Sequence, residues 1–200
     1  MNKEETDKYY IGETFKLALN GKYTVHPNPM VGAVIVKNGK IMGQGYHLKP
    51  GSPHAEQEAI NDAGKSAHNS TLYINLEPCC HYGRTPPCSD LIIRSKIKRV
   101  VVSSLDPNPV VNGKSIEQLK RSGIEVKIGV LKDDAIKLNQ GFFNKFLLKR
   151  PSVTCKSGIS LDGKISLSNG SSKWITSEES RQDVQMERSI ASLIFSSSKT

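Results

Sequence analysis

The sequence predicts an α/β protein in which one sheet carries helices on both faces. Short apolar β-runs at residues 71–76, 99–104 and 125–129 alternate with helical patterns opening at Pro87-Cys88 and spanning 115–122 and 133–139. Strands followed regularly by helices stack those helices on the faces of a shared sheet. Hydrophobic content of 36% and charged content of 24% suit a globular chain, and 200 residues suffice for one well-buried domain plus a remainder too short for a second.

In chain order, Ile11, Phe15, Ala18 and Leu19 recur at helical spacing, so residues 7–20 form an amphipathic helix ending near Gly21. His26-Pro27-Asn28-Pro29-Met30-Val31-Gly32 follows, where two prolines exclude helix and present the Asn28 amide from a rigid extended loop. Residues 31–37 read as a strand, Asn38-Gly39 as a two-residue hairpin turn, and residues 40–47 as the returning strand. His47, at its end, could lie at the surface or face a ligand, and spacing alone leans to the surface. Pro53 precedes a helix over residues 54–63 that Gly64 stops, which puts His54 in the first turn. Cys79 follows the strand at 71–76 directly, and Cys88 opens the helix that runs to about residue 95. Two helix N-termini at one place supply partial positive charge, which favours the Cys88 thiolate.

Around residues 141–150 the pattern changes, and Lys149-Arg150-Pro151 reads as a boundary between residues 1–149 and 150–200. Beyond it the expectations are a strand at 152–158, a turn at Asp162-Gly163, and a Ser/Gly/Asn-rich loop at 166–172. A capping box Thr176-Ser177-Glu178-Glu179 would open a helix to about 189, with a strand after it at 193–196. Such a short unit is not expected to bury a stable core alone.

The formal charge of +9 and pI near 9.4 raise nucleic acid as a partner. The lysines are scattered rather than clustered, and 6% aromatic content leaves little for base stacking, so the charge reads as solvated surface with some attraction for anionic small molecules. No apolar run approaches the roughly 18 residues of a membrane span, and the charged N-terminus lacks a secretory h-region, so the expected location is cytoplasmic. Four cysteines, two of them adjacent, make a poor disulfide framework and point instead to metal or chemistry.

That chemistry concentrates in His54-Ala55-Glu56 and the stretch from Pro78-Cys79 to Cys88. One imidazole and two thiolates give three zinc ligands, the number a hydrolytic zinc keeps so that its fourth position can hold water. Glu56, two residues past His54, is placed to carry protons without ligating the metal. A His-x-Glu followed by Pro-Cys and a further cysteine is the signature of zinc deaminases of nucleobases. One departure is that eight residues, not two, separate Cys79 from Cys88. Cys80 is left out as a ligand, because neighbours on an extended turn rarely point at one metal.

The long loop Leu76-Glu77-Pro78-Cys79-Cys80-His81-Tyr82-Gly83-Arg84-Thr85-Pro86-Pro87-Cys88 occurs together with Pro27-Asn28-Pro29-Met30-Val31-Gly32 and Asp106-Pro107-Asn108-Pro109. With these motifs the chain resembles the bifunctional riboflavin-biosynthesis deaminase/reductase family from residue 8 to 200. The resemblance implies a cytidine-deaminase-like three-layer αβα domain with a mixed sheet, followed by the truncated start of a dihydrofolate-reductase-like α/β domain. It implies a diaminopyrimidinone ribosylamino 5'-phosphate as substrate, with ammonia released. His54, Cys79 and Cys88 would hold Zn2+, and Glu56 would move protons. Matching positions make Asn28, His47, His81, Arg84 and Asn108 substrate-holding residues, with His81 and Arg84 suited to the phosphate. Asn28 and Asn108 as turn formers, and Arg84 as a solvated charge, stay open.

In the tail, Arg150-Pro151, Ser160-Leu161-Asp162-Gly163-Lys164 and Trp174-Ile175-Thr176 resemble the start of the family's NADPH-dependent reductase. There Lys156, Trp174, Ser177 and Arg181 match positions near its substrate or cofactor. A complete NADPH site is expected only if the domain is completed elsewhere. A homo-oligomer or a separate reductase polypeptide stay open as partners. Against the nucleotide deaminase stand a nucleic-acid-editing zinc deaminase, a bifunctional enzyme of which this chain is a fragment, and a zinc-stabilised interaction module.

Overall fold

A computed structural model describes residues 2–83 and 86–196. The chain divides into two units, residues 1–152 and 153–200.

The first unit is built on a five-stranded sheet of order β2-β1-β3-β4-β5: β1 Gly32–Lys37, β2 Lys40–Tyr46, β3 Thr71–Leu76, β4 Arg99–Ser104 and β5 Glu125–Ile128. The β1–β2 hairpin forms at Asn38-Gly39 as expected, both residues taking positive φ of 52° and 73°, the conformation a tight two-residue turn requires. β1 runs antiparallel to β2 and β3, whereas β3, β4 and β5 are parallel, so the sheet is mixed. Side chains alternate between faces along each strand. Ala33, Ile35, Leu72, Ile74, Val100 and Val102 meet the helices α2 (Ala55–Ala63), α3 (Cys88–Arg94) and α4 (Lys114–Arg121) through Ala59, Ile92 and Leu119. The opposite face, with Val34, Val36, Tyr73 and Val101, packs on Tyr10 and Ile11 of α1 (Lys3–Ala18) and on Val130 just ahead of α5 (Lys132–Leu138). The three layers expected from the strand–helix alternation are therefore present.

Two contacts fix where the helices sit. A Cβ on Gly43 would lie 2.4 Å from the Ala59 carbonyl oxygen, and one on Gly45 would lie 2.6 Å from that of Ala55, so α2 rests directly on the β2 backbone. On the other face, the buried Asp7 of α1 accepts both guanidinium arms of Arg99 at 2.7 and 2.9 Å, Lys127 Nζ at 2.9 Å and the Tyr73 hydroxyl at 3.1 Å. This network ties α1 to β3, β4 and β5.

The sequence reading missed α6 (Gln140–Leu147), where Asn139 and Gly141 interrupt an apolar pattern that Phe142, Phe143 and Phe146 continue. In the second unit, α7 (Glu178–Ser189) lies where expected, but its cap is Ser177, whose hydroxyl accepts from Ser180 N, rather than Thr176. The strands expected at 152–158 and 193–196 are not formed. None of the described residues of this unit is buried, and an isolated strand has neither ladder partners nor a packed face to offset its ordering entropy.

Candidate metal centre and its cavity

His54 stands at the N-cap of α2 in an extended conformation, with Glu56 in the first turn behind it. Cys79 follows β3, and Cys88 is the first residue of α3. The sheet brings these segments to one end: His54 Nδ1 lies 3.6 Å from Cys79 Sγ and 3.4 Å from Cys88 Sγ, and the three donor atoms fall within 4.8 Å of one another. Ligand atoms about 2.0–2.3 Å from a tetrahedral zinc stand roughly 3.5 Å apart, so this donor set fits the ion in both geometry and chemistry. The Cys88 amide donates to Cys79 Sγ at 3.3 Å, so the start of α3 stabilises a thiolate there. A hydrogen bond from Cys88, with another from His54, holds the Cys79 thiol low, and the Cys79 thiolate raises that of Cys88. Cys80 is not part of the group; its sulfur faces the Val110 carbonyl at 3.9 Å.

Glu56 is 3% exposed, and burial, reinforced by the Cys79 thiolate, pushes its carboxyl up to about 7. A carboxyl at that value takes up and gives back protons at neutral pH.

His54, Glu56 and Cys79 line a cavity of about 470 Å³, a size that suits a small-molecule ligand, and Cys88 lies buried behind them. Asn28, His47, His81 and Asn108 also line it; Arg84 lies outside the described residues. His47 overturns the surface reading. It is 4% exposed, because the loop after β2 folds it inward over the α2 N-terminus. Its Nδ1 lies 3.1 Å from the Pro53 carbonyl, which can only accept, and its Nε2 lies 2.9 Å from Asn28 Nδ2, which can only donate. His47 is therefore neutral with the proton on Nδ1, and burial keeps its pKa low. Asn108 is both a turn former and a cavity residue: its Oδ1 accepts from Val110 N at 3.1 Å.

Three groups at the cavity were not singled out from the sequence. Asp106 is buried, and burial pushes its carboxyl up to about 6 despite the Asn108 N–H it accepts. Glu77 accepts from Asp106 N, Gly113 N and Ser115 Oγ, pinning the loop after β4 to the cysteine segment. Phe142 of α6 forms part of the wall. Asp106 and Glu77 both stand in the motifs that carry the family resemblance, which is the one signal the sequence held for them. Phe142 had none, because its helix was not recognised.

In the second unit, the Arg181 guanidinium lies 4.2 Å over the Trp174 ring and donates to the Thr176 carbonyl at 2.6 Å, beside Ser177. Lys156 is exposed in the irregular segment before them.

Comparison with known proteins agrees with this centre. The family described as the cytidine and deoxycytidylate deaminase zinc-binding region matches residues 4–104, and the RibD C-terminal domain matches residues 151–200. The Buchnera aphidicola subsp. Schizaphis graminum protein named diaminohydroxyphosphoribosylamino-pyrimidine deaminase is 52% identical over 139 residues, 70% of this chain and 95% of that protein. The chain belongs to the riboflavin-biosynthesis deaminase/reductase family. The Aquifex aeolicus riboflavin biosynthesis protein RibD is 52% identical over 191 residues, 96% of this chain and 54% of that protein. The solved structure of Acinetobacter baumannii RibD, form 1, matches with a TM-score of 0.89 at 47% identity, covering 94% of this chain and 53% of that one. The chain thus carries a cytidine-deaminase-like fold with a zinc-binding deaminase region, and it spans about half the length of the RibD relatives it matches. No helix among the described residues is long and apolar enough to cross a membrane.

Proposed function

We propose that this chain catalyses the hydrolytic deamination of 2,5-diamino-6-(ribosylamino)-4(3H)-pyrimidinone 5'-phosphate to 5-amino-6-(ribosylamino)-pyrimidinedione 5'-phosphate, releasing ammonia in the cytoplasm. What supports the reading is one juxtaposition: a buried carboxyl poised near neutrality beside a His/Cys/Cys donor set at a cavity of small-molecule size, which Glu56, His54 and Cys79 line. The name of the Buchnera relative, a diaminohydroxyphosphoribosylamino-pyrimidine deaminase, supports the substrate.

His54, Cys79 and Cys88 would hold zinc, which when bound supplies Lewis-acid activation of water at neutral pH. Glu56 takes a proton from the attacking water and passes it to a ring nitrogen as the carbon–oxygen bond forms. It then takes the remaining hydroxyl proton and delivers it to the amine as the carbon–nitrogen bond breaks. Asn28, held by His47, and Asn108 are assigned to the ring; His81 and Arg84 are assigned to the phosphate, whose charge a guanidinium matches with two parallel donors. The low aromatic content and scattered lysines favour a free nucleotide over nucleic acid.

We assign residues 1–149 to the deaminase and 150–200 to the start of the reductase part, with Lys156, Trp174, Ser177 and Arg181 facing its substrate or NADPH. The deciding experiment is ammonia release from the phosphorylated diaminopyrimidine by the zinc-loaded protein and by Glu56→Gln. The variant is expected to keep its zinc and to lose at least roughly 100-fold in rate. Release at the wild-type rate would overturn the mechanism.

A further inference from the structure

Asn139 sits at the junction of α5 and α6, 5% exposed, and its amide makes two bonds to the backbone of a single residue far away in sequence. Its Oδ1 accepts the Met30 N–H at 2.7 Å, and its Nδ2 donates to the Met30 carbonyl at 2.9 Å. From β3, Asn75 donates its Nδ2 to the same carbonyl at 2.9 Å, while its Oδ1 accepts the Gly32 N–H at 2.8 Å. Two side-chain amides therefore do for residues 30–32 what a neighbouring strand does for β1. The part-buried N–H and carbonyl of Met30 and the buried N–H of Gly32 find their partners in these amides.

Each end of this clamp leads to the cavity. Two residues before Met30 is Asn28, which lines the cavity and donates to His47. Three residues after Asn139 is Phe142, which forms part of the wall. We propose that Asn139 is a positioning residue for the substrate: by gripping the Met30 backbone on both its N–H and its carbonyl it locks the Asn28 loop and the first turn of α6 into one rigid wall. The inference rests on the deaminase reading of the cavity and names a residue that acts on substrate only through others. A buried asparagine that merely stabilises the fold would lower stability without changing substrate affinity through Asn28.

A double-mutant cycle on the zinc-loaded full chain separates the two roles. In Asn139→Ala, zinc stoichiometry is expected to match the wild type. KM for the diaminopyrimidine phosphate should rise by roughly fivefold to tenfold, the size of one lost hydrogen-bonding arrangement. The change in kcat should be smaller than the change in KM. Amide exchange over residues 26–32 should quicken without substrate present. In an Asn28→Ala background, adding Asn139→Ala should change KM by less than about twofold, because coupled residues are non-additive. Asn139→Ser, which keeps a hydroxyl and leaves room for water beside Met30, should give a smaller shift in the same direction. Additive effects on KM, an unchanged KM, or loss of zinc in both Asn139 variants would overturn the proposal. A wild type that binds the compound without releasing ammonia defeats the deaminase reading alone, and the cycle is then read in Kd. A wild type that neither binds nor deaminates it defeats both.

Discussion

Two cysteine sulfurs and an imidazole within hydrogen-bonding reach form a site that releases protons when a cation enters, since only deprotonated sulfur ligates well. The Cys79 thiol is held low by hydrogen bonds from Cys88 and His54, and the backbone N–H of Cys88 donates to its sulfur. Removing either sulfur takes away one of three donors. Cys88→Ala is therefore expected to lower zinc occupancy by at least roughly tenfold, as read by metal analysis after dialysis. Cys80→Ala serves as the contrast, because that sulfur lies toward Val110 and outside the donor set. Its zinc content should equal that of the wild type; a loss in Cys80→Ala and none in Cys88→Ala would reassign the ligands.

The element that aims this chemistry is α2, and it is aimed by contact with glycines rather than by its own sequence. Gly43 and Gly45 let the helix backbone touch β2, which sets how deep His54 and Glu56 sit at its N-terminus. Gly45→Ala would drive a methyl to 2.6 Å from the Ala55 carbonyl oxygen and the Ala59 nitrogen, both backbone atoms that cannot swing aside. The expected cost is about 1–3 kcal/mol of stability in denaturant unfolding, together with weaker zinc binding as the helix lifts. Much at this scale was legible: β3 and β4 begin and end where the apolar runs do, and the hairpin falls at Asn38-Gly39. The tail strands were misread, because a β-like run becomes a strand only when another strand pairs with it.

Across the first unit, Asp7 joins the N-terminal helix to the parallel half of the sheet. Burial alone would raise its carboxyl, but hydrogen bonds from Arg99 and Lys127 more than reverse this and hold it at about 2, below the ordinary 3.8. A depressed carboxylate contributes stability that is present above the unfolded value and lost as pH falls through the folded one. Stability should therefore decline between about pH 4 and pH 2 by on the order of 2 kcal/mol from this group. Asp7→Asn should be less stable at neutral pH and should show a flatter acid limb in urea titrations at several pH values. An acid limb identical to the wild type would remove Asp7 from this role. The two-unit division carries its own test: the core and the whole candidate site lie before residue 153. A chain ending at Ser152 is expected to fold and bind zinc with wild-type stoichiometry, checked by metal analysis and near-ultraviolet circular dichroism.

What the sequence by itself determined is the chemistry. His54, Glu56, Cys79 and Cys88 stand at helix starts and a strand end, positions that local signals mark, and their residue types admit few reactions. What only the tertiary structure decided is how the cavity is walled. His47 is turned inward by a loop, Asp106 meets Glu77 across two strands, and Asn139 grips Met30 across 109 positions of chain. Local pattern records propensity and period, which act over a few residues. Partners brought together by a closed sheet are set by packing, and packing leaves no local mark on either residue.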